Sequence, residues 1–169
     1  MKDNRVIYKG RLISLAARIV RLPNKFIAHI EVITHPGAAL VVPFLSRDKI
    51  ILLRQLRPVI RAYLYELPAG TLKKDETVLS CGRREIVEET GYRAKKFTRL
   101  GYIYPVPGYS TEKIVIFKAE GLSKENAQLD KDEIIESLIV TRKQLKAMFA
   151  KGKIVDAKTI CALTLCGWL

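Results

Sequence analysis

The chain has few cysteines, no long apolar run and too few acidic residues to balance its basic ones. Its three cysteines, Cys81, Cys161 and Cys166, are an odd number and contain no Cys-x-x-Cys pair. That argues against a disulfide framework and against a cysteine-based zinc site. Cys161 and Cys166 lie in an apolar C-terminal segment, where small buried hydrophobes are expected. Apolar runs such as residues 38–45 fall well short of a membrane span. The N-terminal Met-Lys-Asp-Asn-Arg leads into no uninterrupted apolar core, so no signal peptide and a cytoplasmic location are expected. There is no internal repeat, low-complexity tract or Gly/Ser linker. The 17 Asp and Glu residues face 30 Lys and Arg, a net charge of +13. Such an excess favours anionic partners, whether phosphorylated small molecules, nucleic acid or acidic surfaces, without choosing among them. The basic residues are scattered, with short clusters at Lys73-Lys74, Arg83-Arg84 and Lys95-Lys96. Most of them read as solvated surface.

What is present suffices for one well-buried domain of 169 residues. Alternation of apolar and polar residues predicts strands at 6–8, 13–20 and 26–34, followed by a turn at Thr34-His35-Pro36-Gly37. Two strongly apolar runs, 39–45 and 50–53, are separated by Ser46-Arg47-Asp48-Lys49 and predict a hairpin of buried strands. A short extended piece at 63–67 leads to Pro68-Ala69-Gly70 and a polar loop. A helix is expected over 77–90, with Gly91 as its C-terminal cap. Gly82 inside it costs roughly 1 kcal/mol relative to alanine, which points to a closely packed neighbour. Further strands are expected at 97–104, 113–119 and 134–140. Thr141 with Gln144 forms a capping-box pattern for a helix to about residue 150, and Asp156 caps a last helix running to 169. The order implies an α/β arrangement of mixed sheets and not a regular βαβ winding.

The most informative stretch is 70–92, which carries Glu85, Glu88 and Glu89 at i, i+3 and i+4. On a helix these share one face, where like charges repel by a few tenths of a kcal/mol per exposed pair. A hard divalent cation with oxygen ligands would relieve that repulsion. Mg²⁺ keeps several of its waters, so one to three carboxylates are enough. A glycine at position 70 lets the backbone approach closely and offer a carbonyl. Arg84 cannot ligate a metal but can fix the rotamer of a neighbouring carboxylate.

Gly70, Glu76, Arg84-Glu85-Ile86, Glu88-Glu89 and Gly91-Tyr92, with the intervals between them, resemble a complete Nudix box. The resemblance extends to His35-Pro36-Gly37-Ala38, Arg54-Gln55-Leu56-Arg57, Glu66-Leu67-Pro68-Ala69-Gly70, the segment Pro107 to Glu112 and the tail Gly152-Lys153-Ile154-Val155-Asp156-Ala157. These look like the ADP-ribose pyrophosphatase branch, for which a proline about 16 residues past the box glycine, here Pro107, is a mark. The resemblance implies a Nudix fold of mixed sheets packed between helices, with an additional N-terminal antiparallel sheet. It places dimerisation strands at 1–36 and the hydrolase domain at 37–169.

It further implies a Mg²⁺- or Mn²⁺-dependent enzyme that splits ADP-ribose or a related nucleoside diphosphate sugar. Glu85, Glu88, Glu89 and the Ala69 carbonyl would be metal ligands, with Glu76 and Arg84 bracing them. Arg57 would grip the diphosphate or a terminal ribose, Glu112 would face substrate or metal, and Glu66 would hold a base or sugar hydroxyl. The general base is expected in the acidic segment Asp130-Lys131-Asp132-Glu133, with Glu133 first and Glu136 second, although Lys131 interrupts the family's usual acidic run. A homodimer is expected, with no membrane association. Two rival functions keep the same box. One is cleavage of RNA 5′ ends or dinucleoside polyphosphates, which would call for aromatic rings interleaved with basic residues. No such run stands in the sequence, so its scattered tyrosines would have to assemble in space. The other is a non-catalytic nucleotide sensor, against which the intact glutamate triad speaks.

Overall fold

The structure, a computed structural model, describes residues 4–126 and 133–169. Strands β1 (Asn4–Lys9), β2 (Ser14–Arg21) and β3 (Ile27–Thr34) form an antiparallel sheet in that order, as the alternation predicts. The backbone ties this sheet to the rest of the chain. Ile33 N–H donates to the Tyr109 carbonyl at 2.7 Å, and Thr111 N–H donates to the Ile33 carbonyl at 2.9 Å.

Strand β4 (Ala38–Pro43) is buried along its whole length. It sits inside a mixed sheet of order β7-β4-β9-β8, where β7 is Ala69–Thr71, β8 is Tyr92–Ile103 and β9 is Ile114–Lys124. The β4–β9 pair is parallel and the other pairs are antiparallel. A strand covered on both faces needs apolar residues at every position, which explains its unbroken Ala-Ala-Leu-Val-Val run. Leu40 and Val42 pack with Ile50, Leu52, Leu145, Leu163 and Trp168, while Ala39 and Val41 face Cys81 and Ile86 of the central helix.

The expected hairpin of two buried strands is not what forms. Strand β5 (Lys49–Arg57) belongs to a separate antiparallel sheet of order β10-β5-β6, with β6 at Ala62–Glu66 and β10 at Ile135–Thr141. Only a single bridge, Phe44 with Ile50, joins the two runs. β9 pairs along β4 on one side and β7 pairs with Ala38–Leu40 on the other, while β5 pairs along its length with β10 and β6. Apolar periodicity reports burial and says nothing about which edges are free.

Helix α1 (Val78–Thr90) begins at Thr77, whose side chain accepts from Ser80 N–H, and stops at Gly91, which adopts φ 69° and returns its N–H to the Val87 carbonyl. An added Cβ on Gly82 would lie 3.2 Å from Val41 Cγ2, the close neighbour that its presence in a helix predicts. Helix α2 (Arg142–Ala150) carries the expected capping box of Thr141 and Gln144. Helix α3 (Ala157–Leu165) starts at Asp156 as expected but ends before the C-terminus. Trp168 N–H turns back to the Leu163 carbonyl at 2.8 Å, and its ring meets Phe44 edge-on at 5.3 Å. Cys81 is buried, whereas Cys161 and Cys166 are half-buried at the margin of the core. Among the described residues no helix is long and apolar enough to cross a membrane.

Leu40 is fully buried at the centre of β4, so Leu40→Ala should lower unfolding stability by about 2–5 kcal/mol. Denaturant titration checks this, and a loss below about 1 kcal/mol would contradict the central placement of β4.

Candidate active site

The box glutamates occupy one face of α1, as their spacing requires, but in unequal surroundings. Glu85 and Glu89 are buried, while Glu88 is half-buried. The cause is the short strand β7, which passes directly against the helix. An added Cβ on Gly70 would fall 1.7 Å from Glu85 Oε1, so any side chain at this position would have to push the Glu85 carboxylate aside. One residue earlier, Ala69 N–H donates to Glu89 Oε2 at 2.9 Å. Glu85 thus occupies the space that the missing side chain of Gly70 leaves, while Glu89 is held by the neighbouring backbone N–H.

Burial drives both acids toward protonation. It pushes the Glu85 carboxyl up to about 7, against the opposing pull of the Arg84 guanidinium. Glu89 is raised well above the usual carboxylate range, first by burial and then by the neighbouring charge of Glu85, while the Ala69 N–H works the other way.

Arg84 is the cation among these groups. Its Nη1 donates to Glu85 Oε1 at 2.5 Å and to Glu88 Oε2 at 2.8 Å. Its Nε and Nη2 grip Glu76 in a fork, both at 2.9 Å, and Nη2 also reaches the Thr71 carbonyl at 3.3 Å. Glu76 accepts in addition from Lys73 N–H, and the Arg84 fork holds its carboxyl down at about 2. Arg84 therefore ties the loop before the helix to two acids on the helix.

A cleft of about 400 Å³ opens beside Ala69 and Gly70. Its walls include His35, Arg57, Pro105, Glu112, Asp156 and Lys158. At its back lies Glu66, fully buried. Arg57 donates from Nε and Nη2 to the two oxygens of Glu66 at 2.7 and 2.6 Å, and Lys158 Nζ donates to Glu66 Oε2 as well. Burial alone would raise the Glu66 carboxyl, but the two cations hold it below its ordinary value. On the far wall, His35 Nδ1 accepts from Gly37 N–H at 3.0 Å and stands 3.8 Å from Glu112 Oε1.

The NUDIX domain pattern matches residues 34–163. The chain is a member of the NUDIX family. It is 37% identical over 159 residues to the ADP-ribose pyrophosphatase of Bacillus subtilis strain 168, covering 93% of this chain and 86% of that protein. Identity is 35% over 159 residues to the methanol dehydrogenase activator of Bacillus methanolicus, with the same coverage of 93% and 86%. It is 34% over 136 residues to the GDP-mannose pyrophosphatase of Citrobacter koseri, covering 75% of this chain and 71% of that one. A solved structure described as an ADP compounds hydrolase superposes with a TM-score of 0.84, covering 97% of this chain and 89% of its own at 22% identity. That similarity shows the Nudix fold of mixed sheets and helices, here carrying the N-terminal antiparallel sheet in addition.

Within the Nudix frame, the structure brings Ala69, Gly70, Glu76, Arg84, Glu85, Glu88 and Glu89 together. Glu133 is half-buried and near enough to Glu85 and Glu89 for its charge to help raise both. Glu136 points elsewhere: it is exposed on β10, 3.7 Å from Arg54 across the strand pair. Asp130, Lys131 and Asp132 lie outside the described residues. Two residues expected at the site, Glu66 and Pro107, do not line the cleft. Glu66 has no exposed surface with which to meet a sugar or base, because Arg57 and Lys158 enclose it. Pro107 is exposed in the turn that follows Val106, and Pro105 lines the cleft in its place. Lys158 was not legible as a site residue; it follows a helix cap in sequence and reaches Glu66 only through the packing of α3.

The donor set suits a hard divalent cation. It consists of carboxylate and backbone oxygens, and burial leaves two of its acids short of positive charge. Among the described residues no three acidic, histidine or cysteine side chains already converge on one point. Arg84 holds one oxygen each of Glu85 and Glu88, and Ala69 N–H holds one of Glu89, which leaves the second oxygen of each carboxylate for a cation.

Gly70→Ala would drive a methyl group into Glu85 and displace its carboxylate. A displacement near 1 Å can cost about a hundredfold in rate, and a loss of that order in kcat/KM with an unchanged circular dichroism spectrum is expected. Wild-type turnover in this variant would show that the Gly70–Glu85 contact is dispensable.

Proposed function

We propose that this chain is a metal-dependent Nudix pyrophosphatase that hydrolyses the diphosphate of ADP-ribose or a related nucleoside diphosphate sugar, giving a nucleoside monophosphate and a sugar phosphate. One observation carries this reading: two buried carboxylates on one helix face, Glu85 and Glu89, stand beside a cleft whose wall bears Arg57 and Lys158. The ADP-ribose and GDP-mannose pyrophosphatases among its relatives support the same substrate class.

Glu85, Glu88, Glu89 and the Ala69 carbonyl would hold Mg²⁺ or Mn²⁺. When bound, such an ion neutralises diphosphate charge and lowers the pKa of a coordinated water. Arg84 would steer Glu85 and Glu88 while Glu76 anchors it from the loop. Arg57 keeps Nη1 for the ligand, since Nε and Nη2 are committed to Glu66. Glu112, which lines the same cleft as Arg57, would meet a sugar hydroxyl. Glu133 would take the proton of the attacking water as its oxygen bonds to phosphorus and the bridging P–O bond breaks.

The N-terminal sheet supports a homodimer. Val6, Tyr8 and Phe26 are 60%, 61% and 63% exposed, and large apolar side chains left open along a small sheet suit burial against a second copy. Sedimentation equilibrium should show a dimer at micromolar concentration, with Phe26→Asp shifting it toward monomer. A monomeric wild type would refute the assembly.

RNA 5′ ends are a second reading, favoured by one specific observation. Tyr102 and Tyr104 meet edge-on at 5.7 Å, with Lys113 Nζ 4.2 Å and Arg99 6.0 Å from the Tyr102 ring. The end of β8 and the segment after it thus present an exposed aromatic and basic patch. A single assay decides between the two. ADP-ribose, other nucleotide sugars, dinucleoside polyphosphates and triphosphorylated RNA are compared with Mg²⁺, with Mn²⁺ and with EDTA. The expected outcome is highest kcat/KM for a nucleotide sugar, none with EDTA, and none for Glu89→Gln despite a native fold. Cleavage of RNA alone would replace the first reading by the second, and turnover by Glu89→Gln would remove Glu89 from the metal site.

A further inference from the structure

We infer that Lys158 is a second phosphate-binding cation of the cleft, acting beside Arg57, with buried Glu66 as the shared anchor that sets both. The inference deepens the diphosphate-hydrolase reading and rests on it.

Lys158 lies in the first turn of α3 and lines the same cleft as Arg57, Ala69 and Gly70. Its ammonium donates to Glu66 Oε2 and, at 2.8 Å, to Asp156 Oδ1. An ammonium has three donors, so one remains for a ligand; Arg57 likewise has donors beyond the two that Glu66 takes. Both cations therefore present unused N–H groups to one cleft while their positions are fixed from behind.

That fixation is unusually complete for a lysine, whose side chain otherwise loses much rotamer freedom on binding. The start of α3 is held by Asp156 Oδ2, which accepts from Thr159 N–H at 2.9 Å. Thr159 Oγ1 in turn accepts from Leu67 N–H at 3.0 Å, only two residues before Ala69. The helix that carries Lys158 is thereby pinned to the corner that carries the candidate metal-binding backbone. Neutralising Glu66 does not by itself require Lys158, because Arg57 already engages both of its oxygens. A pre-set pair of cations, one planar and one a compact point charge, matches the several oxygens of a diphosphate.

The test compares wild type with Lys158→Met, which keeps the stem and removes the charge, and with Lys158→Arg, which restores it. A lost hydrogen bond to a charged group weakens binding by roughly ten- to a hundredfold. The expected result for Lys158→Met is a KM for ADP-ribose raised by that factor, with kcat within about threefold of wild type and Lys158→Arg recovering most of the loss. Calorimetric titration with ADP-ribose in EDTA should show the same weakening in Kd, independently of turnover. Unchanged KM and Kd in a folded Lys158→Met would overturn the inference. If Lys158→Met fails to fold, a wild-type KM in Lys158→Gln would overturn it equally. Absence of nucleotide-sugar hydrolysis by wild type, with ADP-ribose still bound and Lys158-dependent, would instead count against the functional reading and leave the clamp standing.

Discussion

The close seating of Glu85 on the backbone of Gly70 is the contact on which the site depends. It lets the helix and the short strand β7 lie close enough that the Glu85 carboxylate leaves solvent, with Glu89 buried beside it. Burying acids this way raises their affinity for protons, and the same deficit of positive charge suits them to a divalent cation. The apolar side of α1 stabilises the approach: Cys81 and Ile86 pack against β4, and Gly82 lets Val41 come near. The hydrophobic contacts of one helix face thus set the electrostatics of the other.

Arginine relieves the resulting strain in charge on both sides of β7. Arg84 spans from Glu76 in the loop to Glu85 and Glu88 on the helix, and Arg57 with Lys158 encloses Glu66. The two networks differ in accessibility. Glu66 is sealed behind its two cations, whereas Glu88 retains partial exposure beside Arg84. A fixed pair of cations and a buried set of acids thus border one cleft, an arrangement that suits the proposed diphosphate hydrolase.

Local structure was largely legible in the sequence because it rests on short-range rules. Caps at Thr77, Thr141 and Asp156, the left-handed stop at Gly91 and the alternating N-terminal strands all follow from spacing and residue type. The box residues were legible for the same reason: a helix of 3.6 residues per turn puts Glu85, Glu88 and Glu89 on one side. The pairing of strands was not legible. Apolar runs 39–45 and 50–53 look like hairpin partners, yet each enters a different sheet, β4 pairing with β7 and β9 and β5 with β6 and β10.

The sequence by itself determined the family, the elements and the identity of the acidic face, since each is encoded within a few tens of consecutive residues. Tertiary structure decided which acids are available. Glu66 and Glu85 are both glutamates in Nudix segments, but packing encloses one behind two cations and sets the other on bare backbone. It also brought Lys158 across 92 residues to Glu66 and gathered Tyr102, Tyr104, Arg99 and Lys113 into one patch. Charge, burial and hydrogen-bond partners depend on what surrounds a side chain in space, and no periodicity along the chain carries that information.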